Sequence, residues 1–228
     1  MNLDIIADIL FPPACVGCSR KIRFDALCKP CQQSITLAKT MFCGKCGVPL
    51  IEPKKACHAD ADYLLGTAGR YEDDVLRALV HALKFEWVKA AARPLGQVLI
   101  DYVEKVSIDV NDFIVIPIPL SRKRRRSRGF NQSELIARHF AEHFGLLLET
   151  KALIRTLHRK PQSETEDIAE RKENIRGCFS MDGAANIAGK NIILVDDVTT
   201  SGTTLNEAAR VLTAAGAKKI IALVTAQA

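Results

Sequence analysis

Apolar positions recur along the chain with helical and strand periods. Val75, Leu76, Leu79, Val80 and Leu83 repeat at three- and four-residue steps, which predicts a helix within 71–83 that buries one face. SELIARHFAEHFG at 133–145 predicts a second amphipathic helix, stopped by Gly145. Thr204 to Ala215 predicts a third, with Gly216 just beyond its end. The apolar runs FIVIPIP (113–119), NIILV (191–195) and KIIALVTA (219–226) read as buried strands, and a further strand is expected near 146–153. Strands alternating with helices imply βαβ units, hence a parallel sheet with right-handed crossovers. In such sheets ligands bind beyond the carboxyl ends of the strands, so the loops after residues 119 and 195 are where chemistry is expected. The polar stretch 155–174 has no apolar face and is expected to be mobile.

The pattern changes character near residues 58–64. Cys15, Cys18, Cys28, Cys31, Cys43, Cys46 and Cys57 all precede that point, and only Cys178 follows it. This divides the chain into a cysteine-rich module, 1–60, and an α/β domain, 61–228. Cys15-x2-Cys18-x9-Cys28-x2-Cys31 supplies two CxxC turns, the spacing at which four thiolates close around one tetrahedral zinc. The QQSITLA that follows Cys31 reads as the start of a short helix. Cys43, Cys46 and Cys57 form a possible second zinc site without an obvious fourth partner. His58 and Asp60 are both candidates, and a vestigial set of buried thiols is the third reading. A disulfide framework is disfavoured because the start MNLDIIADILF carries acids where a secretory signal needs basic residues, and a cytoplasmic chain is expected. Zinc with all four positions filled is structural, so the module is expected to act as scaffold or docking surface.

The most informative stretch is 193–207, ILVDDVTTSGTTLNE. An apolar strand ends in Asp196 and Asp197, and a loop of small hydroxyl residues then runs into a helix. Thr204 and Glu207 have capping-box spacing. Free N–H groups at a helix start, its positive dipole end and the hydroxyls of Thr200, Ser201, Thr203 and Thr204 together suit a phosphate monoester, with Gly202 allowing close approach. The two acids suit ribose hydroxyls or magnesium. For a lone TTSGT the plain reading, a strand-to-helix turn, would prevail. Two acids directly before it reverse that judgement.

This unit resembles the PRPP-binding signature of type I phosphoribosyltransferases, in which the acids contact ribose and the loop, here 199–204, holds the 5′-phosphate. Together with the cysteine module, RGFNQSELIA at 128–137 and LKF at 83–85 make nearly all of the 228 residues resemble the ComF family. Its members are phosphoribosyltransferase-like proteins with an N-terminal zinc finger, linked to natural competence and DNA uptake. The resemblance implies an α/β, type I phosphoribosyltransferase-like parallel sheet flanked by helices, with a small zinc-binding module in front. It implies PRPP as ligand with magnesium, and Asp196 and Asp197 as the catalytic pair. It also implies pyrophosphate or flexible-loop roles for Arg128, Asn131, Gln132, Arg155, Gln162 and Arg171, with Asn174 at a matching position. The pattern departs from purine phosphoribosyltransferases at Thr200, where those enzymes carry an acid, so purine salvage is disfavoured. The chain ends soon after the loop, so any hood over a base must come from 61–112 or the zinc module. Phe85 and Trp87 are stacking candidates there, with core packing the plainer role.

Composition sets outer limits. A chain 48% hydrophobic and 25% charged is neither disordered nor collagen-like, and no run approaches the ~20 apolar residues of a membrane span, so no membrane insertion is expected. The net charge of +6 permits phosphate or nucleic-acid binding without requiring it. Six of the seven residues 122–128 are basic, which reads as a solvated surface, a pyrophosphate clamp or a contact for single-stranded DNA. Two functions follow. One is a PRPP-dependent transferase with an unidentified acceptor. The other is a non-catalytic competence factor that binds single-stranded DNA or other competence proteins and uses the pocket as a PRPP sensor. A base-reading transcription factor lacks a recognition helix, and His81, His139, His143 and His158 belong to no nucleophile constellation.

Overall fold

The computed structural model describes residues 14–23, 25–51, 56–156, 177–183 and 185–228. Helix α1 (Lys29–Ser34) is followed by β1 (Phe42–Cys43), β2 (Leu64–Arg70), α2 (Asp74–Phe85), a 3-10 turn (Lys89–Ala91), α3 (Ala92–Val106) and β3 (Phe113–Pro117). Then come α4 (Arg122–Arg128), α5 (Gln132–Phe144), β4 (Leu147–Leu148), β5 (Leu153–Arg155), β6 (Phe179–Met181), β7 (Asn191–Thr199), α6 (Thr203–Ala214) and β8 (Lys219–Gln227). Six strands form one sheet in the order β1-β2-β8-β7-β3-β4, parallel except at β1, and β5 pairs antiparallel with β6 beside it.

The continuous apolar runs arise because both faces of the sheet are covered. Ile193 and Val195 of β7 and Ile221 and Leu223 of β8 pack with α2, α3 and α5. Their neighbours Ile192, Leu194, Ile220 and Ala222 pack on the opposite side with Leu205, Ala208 and Leu212 of α6 and with Phe179. A strand buried on both faces has no polar alternation to show. Helix α2 buries Leu76, Leu79, Val80 and Leu83, and its N-terminus is capped by Asp73, whose carboxylate accepts from the Val75 and Leu76 N–H groups at 3.0 and 3.1 Å.

Several sequence expectations need correction. Strand β7 continues past Val195 to Thr199, so both acids lie within the strand. The single strand expected near 146–153 is two short strands in different sheets, split by the turn after Leu148. Helix α1 includes Cys31 and ends at Ser34, so the residues after Cys31 close a helix instead of opening one. The capping box does not form: Gly202 is the N-cap, and Glu207, a full turn inside α6, accepts from the Gly177 N–H at 2.7 Å and from Arg210. The basic run 122–128 is a short exposed helix capped by Ser121. Strand β2 and helix α3 were not anticipated.

The cysteine-rich segment and the α/β unit share this sheet. β1 is its antiparallel edge strand, with Phe42 opposite Leu65 and Cys43 opposite Leu64. The connecting chain is tied down by the Tyr102 hydroxyl, which donates to the Thr40 carbonyl at 2.8 Å, and by Lys105, which donates to the Leu37 carbonyl at 3.0 Å.

Candidate functional site

Strands β3 and β7 are adjacent, yet the chain leaves them in opposite directions, β3 through α5 to β4 and β7 through α6 to β8. That reversal opens a crevice beyond their carboxyl ends. Asp196 and Asp197 stand at it. The Ser133 hydroxyl, in the first turn of α5, donates to Asp196 Oδ1 at 2.8 Å, and Lys84 Nζ, near the end of α2, lies 2.9 Å from Asp197 Oδ1. Backbone N–H groups of Asp197 and Val198 donate to the carboxylates of Asp196 and Asp197 at 2.9 and 2.6 Å. Burial first, and the charge of Asp197 second, push the Asp196 carboxyl up to about 7, against the pull of Ser133 and Lys84. Two acids crowded on one buried strand end are a costly arrangement for a scaffold and an ordinary one for a binding site.

The hydroxyl loop follows directly. Thr199 is buried, its carbonyl accepting from the Ala228 N–H at 2.9 Å, while Thr200 and Ser201 are exposed. Ser201 Oγ and Thr203 Oγ1 are 2.7 Å apart. Gly202 is left-handed at φ 71°, and a side chain there would also approach the Tyr63 hydroxyl to 3.4 Å. Gly202, Thr203 and Thr204 open the twelve-residue helix α6, so the loop presents hydroxyls and first-turn N–H groups together.

On the β3 side, Arg128 is half-buried at the end of α4. Burial and Arg124 lower its pKa, and Asp197 raises it, which ties the guanidinium electrostatically to the acid pair. Asn131 and Gln132 are buried; Asn131 donates to the Ile118 carbonyl at 3.0 Å and so braces the loop after β3. Asn131 Oδ1 and both polar atoms of Gln132 have no protein partner. Arg155, expected in a mobile loop, lies in β5 over the Phe179 ring at 5.3 Å, because the hairpin with β6 takes that end of the segment into a sheet. Gln162, Arg171, Asn174 and His158 lie outside the described residues. Phe85 and Trp87 are not core residues: they are 60% and 58% exposed, since α2 ends at Phe85 and the chain turns outward there.

Sequence reasoning missed Lys84 and Ser133. Lys84 belongs to LKF (83–85) and Ser133 to RGFNQSELIA (128–137). Lys84 was the signal available, the one basic residue in the last turn of a helix that buries an apolar face.

The cysteines form two clusters, Cys15/Cys18/Cys28/Cys31 and Cys43/Cys46/Cys57/His58, and within each all ligand atoms lie within 4.8 Å of one another. Four thiolates, or three with one imidazole, meeting at that spacing fit tetrahedral zinc. The fourth partner of the second set is His58, whose Nδ1 lies 3.2 Å from Cys57 Sγ and 3.6 Å from Cys43 Sγ. Asp60 is taken by an ion pair with Lys45. Cys31 and Cys57 are each pushed up to about 12, Cys31 by burial and then by neighbouring thiols, Cys57 by Cys46 and Cys43, a crowding that a dication relieves. Between the second cluster and α6 lies a cavity of about 370 Å³ bordered by Lys45, Asp62, Tyr63, Thr203, Asn206 and Arg210.

A phosphoribosyl transferase domain family matches residues 126–228 and a double zinc ribbon domain family residues 6–60. The DNA utilization protein YhgH of Salmonella typhimurium is 28% identical over 203 residues, 85% of this chain and 87% of its own. Competence protein F of Haemophilus influenzae is 26% identical over 219 residues, 90% and 93% of the two chains. Competence protein ComFC of Bacillus subtilis is 26% identical over 202 residues, 87% and 70%. Fold, zinc clusters and domain matches define a phosphoribosyltransferase-like protein with an N-terminal structural zinc module. Within that class, the chain is similar over most of its length to the ComF-type competence proteins.

Proposed function

We propose that the crevice binds PRPP and that the protein transfers the phosphoribosyl group to an acceptor with release of pyrophosphate. The observation that supports this most is the continuous run of two carboxylates, each with its own partner in Ser133 and Lys84, into a hydroxyl loop at a helix start. In this reading Asp196 and Asp197 accept hydrogen bonds from the ribose hydroxyls. Thr199, Thr200, Ser201, Gly202, Thr203 and Thr204 hold the 5′-phosphate, and Arg128 and Gln132, on either side of the loop that Asn131 braces, face the diphosphate. Carboxylates and hydroxyls are the hard oxygen donors magnesium takes, and the cation, bound with the diphosphate, would neutralise the leaving group. The acids steady the positive charge that develops on the ribose as the C1–O bond lengthens. Calorimetric titration of PRPP with magnesium tests the reading: binding to the wild type that is lost in the Asp196→Ala/Asp197→Ala variant supports it, and no binding to the zinc-loaded wild type overturns it.

One observation favours a second reading. Helix α4 exposes five of its six basic residues. As a non-catalytic competence factor, the protein would hold single-stranded DNA there and use the crevice to sense PRPP. Salt-dependent binding to a single strand, lost on replacing Arg124, Arg125 and Arg126 but retained in the Asp197→Ala variant, is its expected signature.

A further inference from the structure

Glu207 has capping-box spacing and does not cap. Its side chain is only 8% exposed and both carboxylate oxygens are engaged: Oε1 accepts from the Gly177 N–H at 2.7 Å and from Arg210 Nη2 at 2.8 Å, and Oε2 accepts from Arg210 Nε at 2.9 Å. A buried carboxylate with a cation adds little net stability, because desolvation offsets the attraction. What it adds here is a fixed geometry. Gly177 leads into β6, and at the same end of the β5–β6 pair the Thr156 N–H donates to the Cys178 carbonyl at 2.9 Å. Glu207 therefore pins that end of the pair to α6. The helix itself is seated on the sheet by Leu205, Ala208, Ala209 and Leu212. Two paired strands of three residues each are marginal without a brace, so the pair is the part that Glu207 positions.

Arg155 stands at that pinned end. Its guanidinium lies 5.3 Å over the ring of Phe179, its cross-strand partner, and its Nε is buried with no hydrogen-bond partner among the described residues. The buried Cys178 feels both charges: burial pushes its thiol up, Arg155 draws it down and Glu207 pushes it up again. Arg155 and Glu207 thus lie near one thiol, beside the helix whose start presents the hydroxyl loop. A buried N–H without an acceptor costs stability unless a ligand supplies one, and an oxyanion is the acceptor that suits a guanidinium. We propose that Glu207 is a positioning residue of the site: by locking the end of the β5–β6 pair to α6, it holds Arg155 where the guanidinium meets a phosphate group of the ligand. The inference rests on the phosphoribosyl reading and adds to it a residue that acts only through another.

Zinc-loaded protein is titrated calorimetrically with two probes, ribose 5-phosphate and pyrophosphate with magnesium, each of which carries one phosphate end of PRPP. Arg155→Met should weaken one probe about tenfold and leave the other within about twofold. Glu207→Leu should weaken that same probe by a similar factor, and the double variant should be no worse than either single one, because Glu207 acts through Arg155. Glu207→Gln keeps an oxygen for the Gly177 N–H and should keep most of the affinity. Leucine fills the space of the buried carboxylate and leaves no charge unpaired inside, so the fold is retained; Glu207→Met is the second variant of the same kind, and melting curves verify both. Equal weakening of both probes marks a purely structural brace and overturns the proposal. So does an unchanged affinity for both, or a selective loss that falls on different probes in the Arg155 and Glu207 variants. Wild-type protein that binds neither probe overturns the phosphoribosyl reading as well.

Discussion

Asp196 shows at the scale of one residue how a site opposes stability. Its folded-state pKa is raised to about 7 from an ordinary carboxylate value, so between those limits the folded protein holds a proton that the unfolded chain releases. Stability from this group is therefore fully present below about pH 4 and is lost as pH rises toward 7. Asp196→Asn keeps an oxygen for the Ser133 hydroxyl and removes the titration. It should stabilise the ligand-free protein at pH 8 by about 2 kcal/mol, roughly 5 °C, and leave it unchanged at pH 4. Thermal unfolding across pH checks this, and parallel wild-type and variant profiles would refute the crowded-carboxylate account. Lys84→Met should act in the opposite direction, destabilising the ligand-free protein by about 1–3 kcal/mol in chemical unfolding at pH 8, because Asp197 keeps its burial and loses its cation. The acids and the hydroxyl loop were legible because their chemistry is contiguous in sequence. Lys84 and Ser133 were not, since their roles exist only once α2 and α5 are packed against the end of β7.

Elements were legible where burial left a one-dimensional trace. β3, β7 and β8 are doubly covered strands and appear as plain apolar runs. Helix α3 also carries a stripe, Leu95, Val98, Leu99, Tyr102, Val103 and Val106, and was missed although its pattern was there. β2 was missed for a better reason: Gly66, Thr67 and Gly69 interrupt its apolar run because other chain segments crowd it. A side chain at Gly66 would stand 2.6 Å from Leu223 Cδ2 and 2.9 Å from Tyr102 Cε1. The turn into α6 is an element whose geometry can be tested. Gly202→Ala adds left-handed strain and presses toward the Tyr63 hydroxyl. About 1 kcal/mol of stability should be lost, and PRPP affinity should fall at least about tenfold, because the loop's N–H groups must move to relieve the strain. Calorimetry beside a melting curve separates the two effects.

At the scale of the whole molecule, the cysteine module is joined to the phosphate loop by a short physical chain. Gly44, in the CxxC turn of the second cluster, lies so close to Tyr63 that a side chain there would stand 2.4 Å from the Tyr63 carbonyl and 3.0 Å from its ring. Tyr63 is buried with its hydroxyl facing Gly202, and β1, which carries Cys43, pairs with β2 immediately after it. Loosening the second zinc site thus frees the β1 edge, then the Tyr63 wall, then the loop. The first cluster, whose ties run to the α3 side through the Gln32 side chain on the Pro94 carbonyl and Arg93 on Asp25, lacks that route. Zinc analysis should give two ions per wild-type chain and about one for His58→Ala. The same variant should bind PRPP several-fold more weakly while its α/β core melts as one unit. A His58→Ala chain that lost one zinc and kept full PRPP affinity would show that the module is mounted on the site without supporting it.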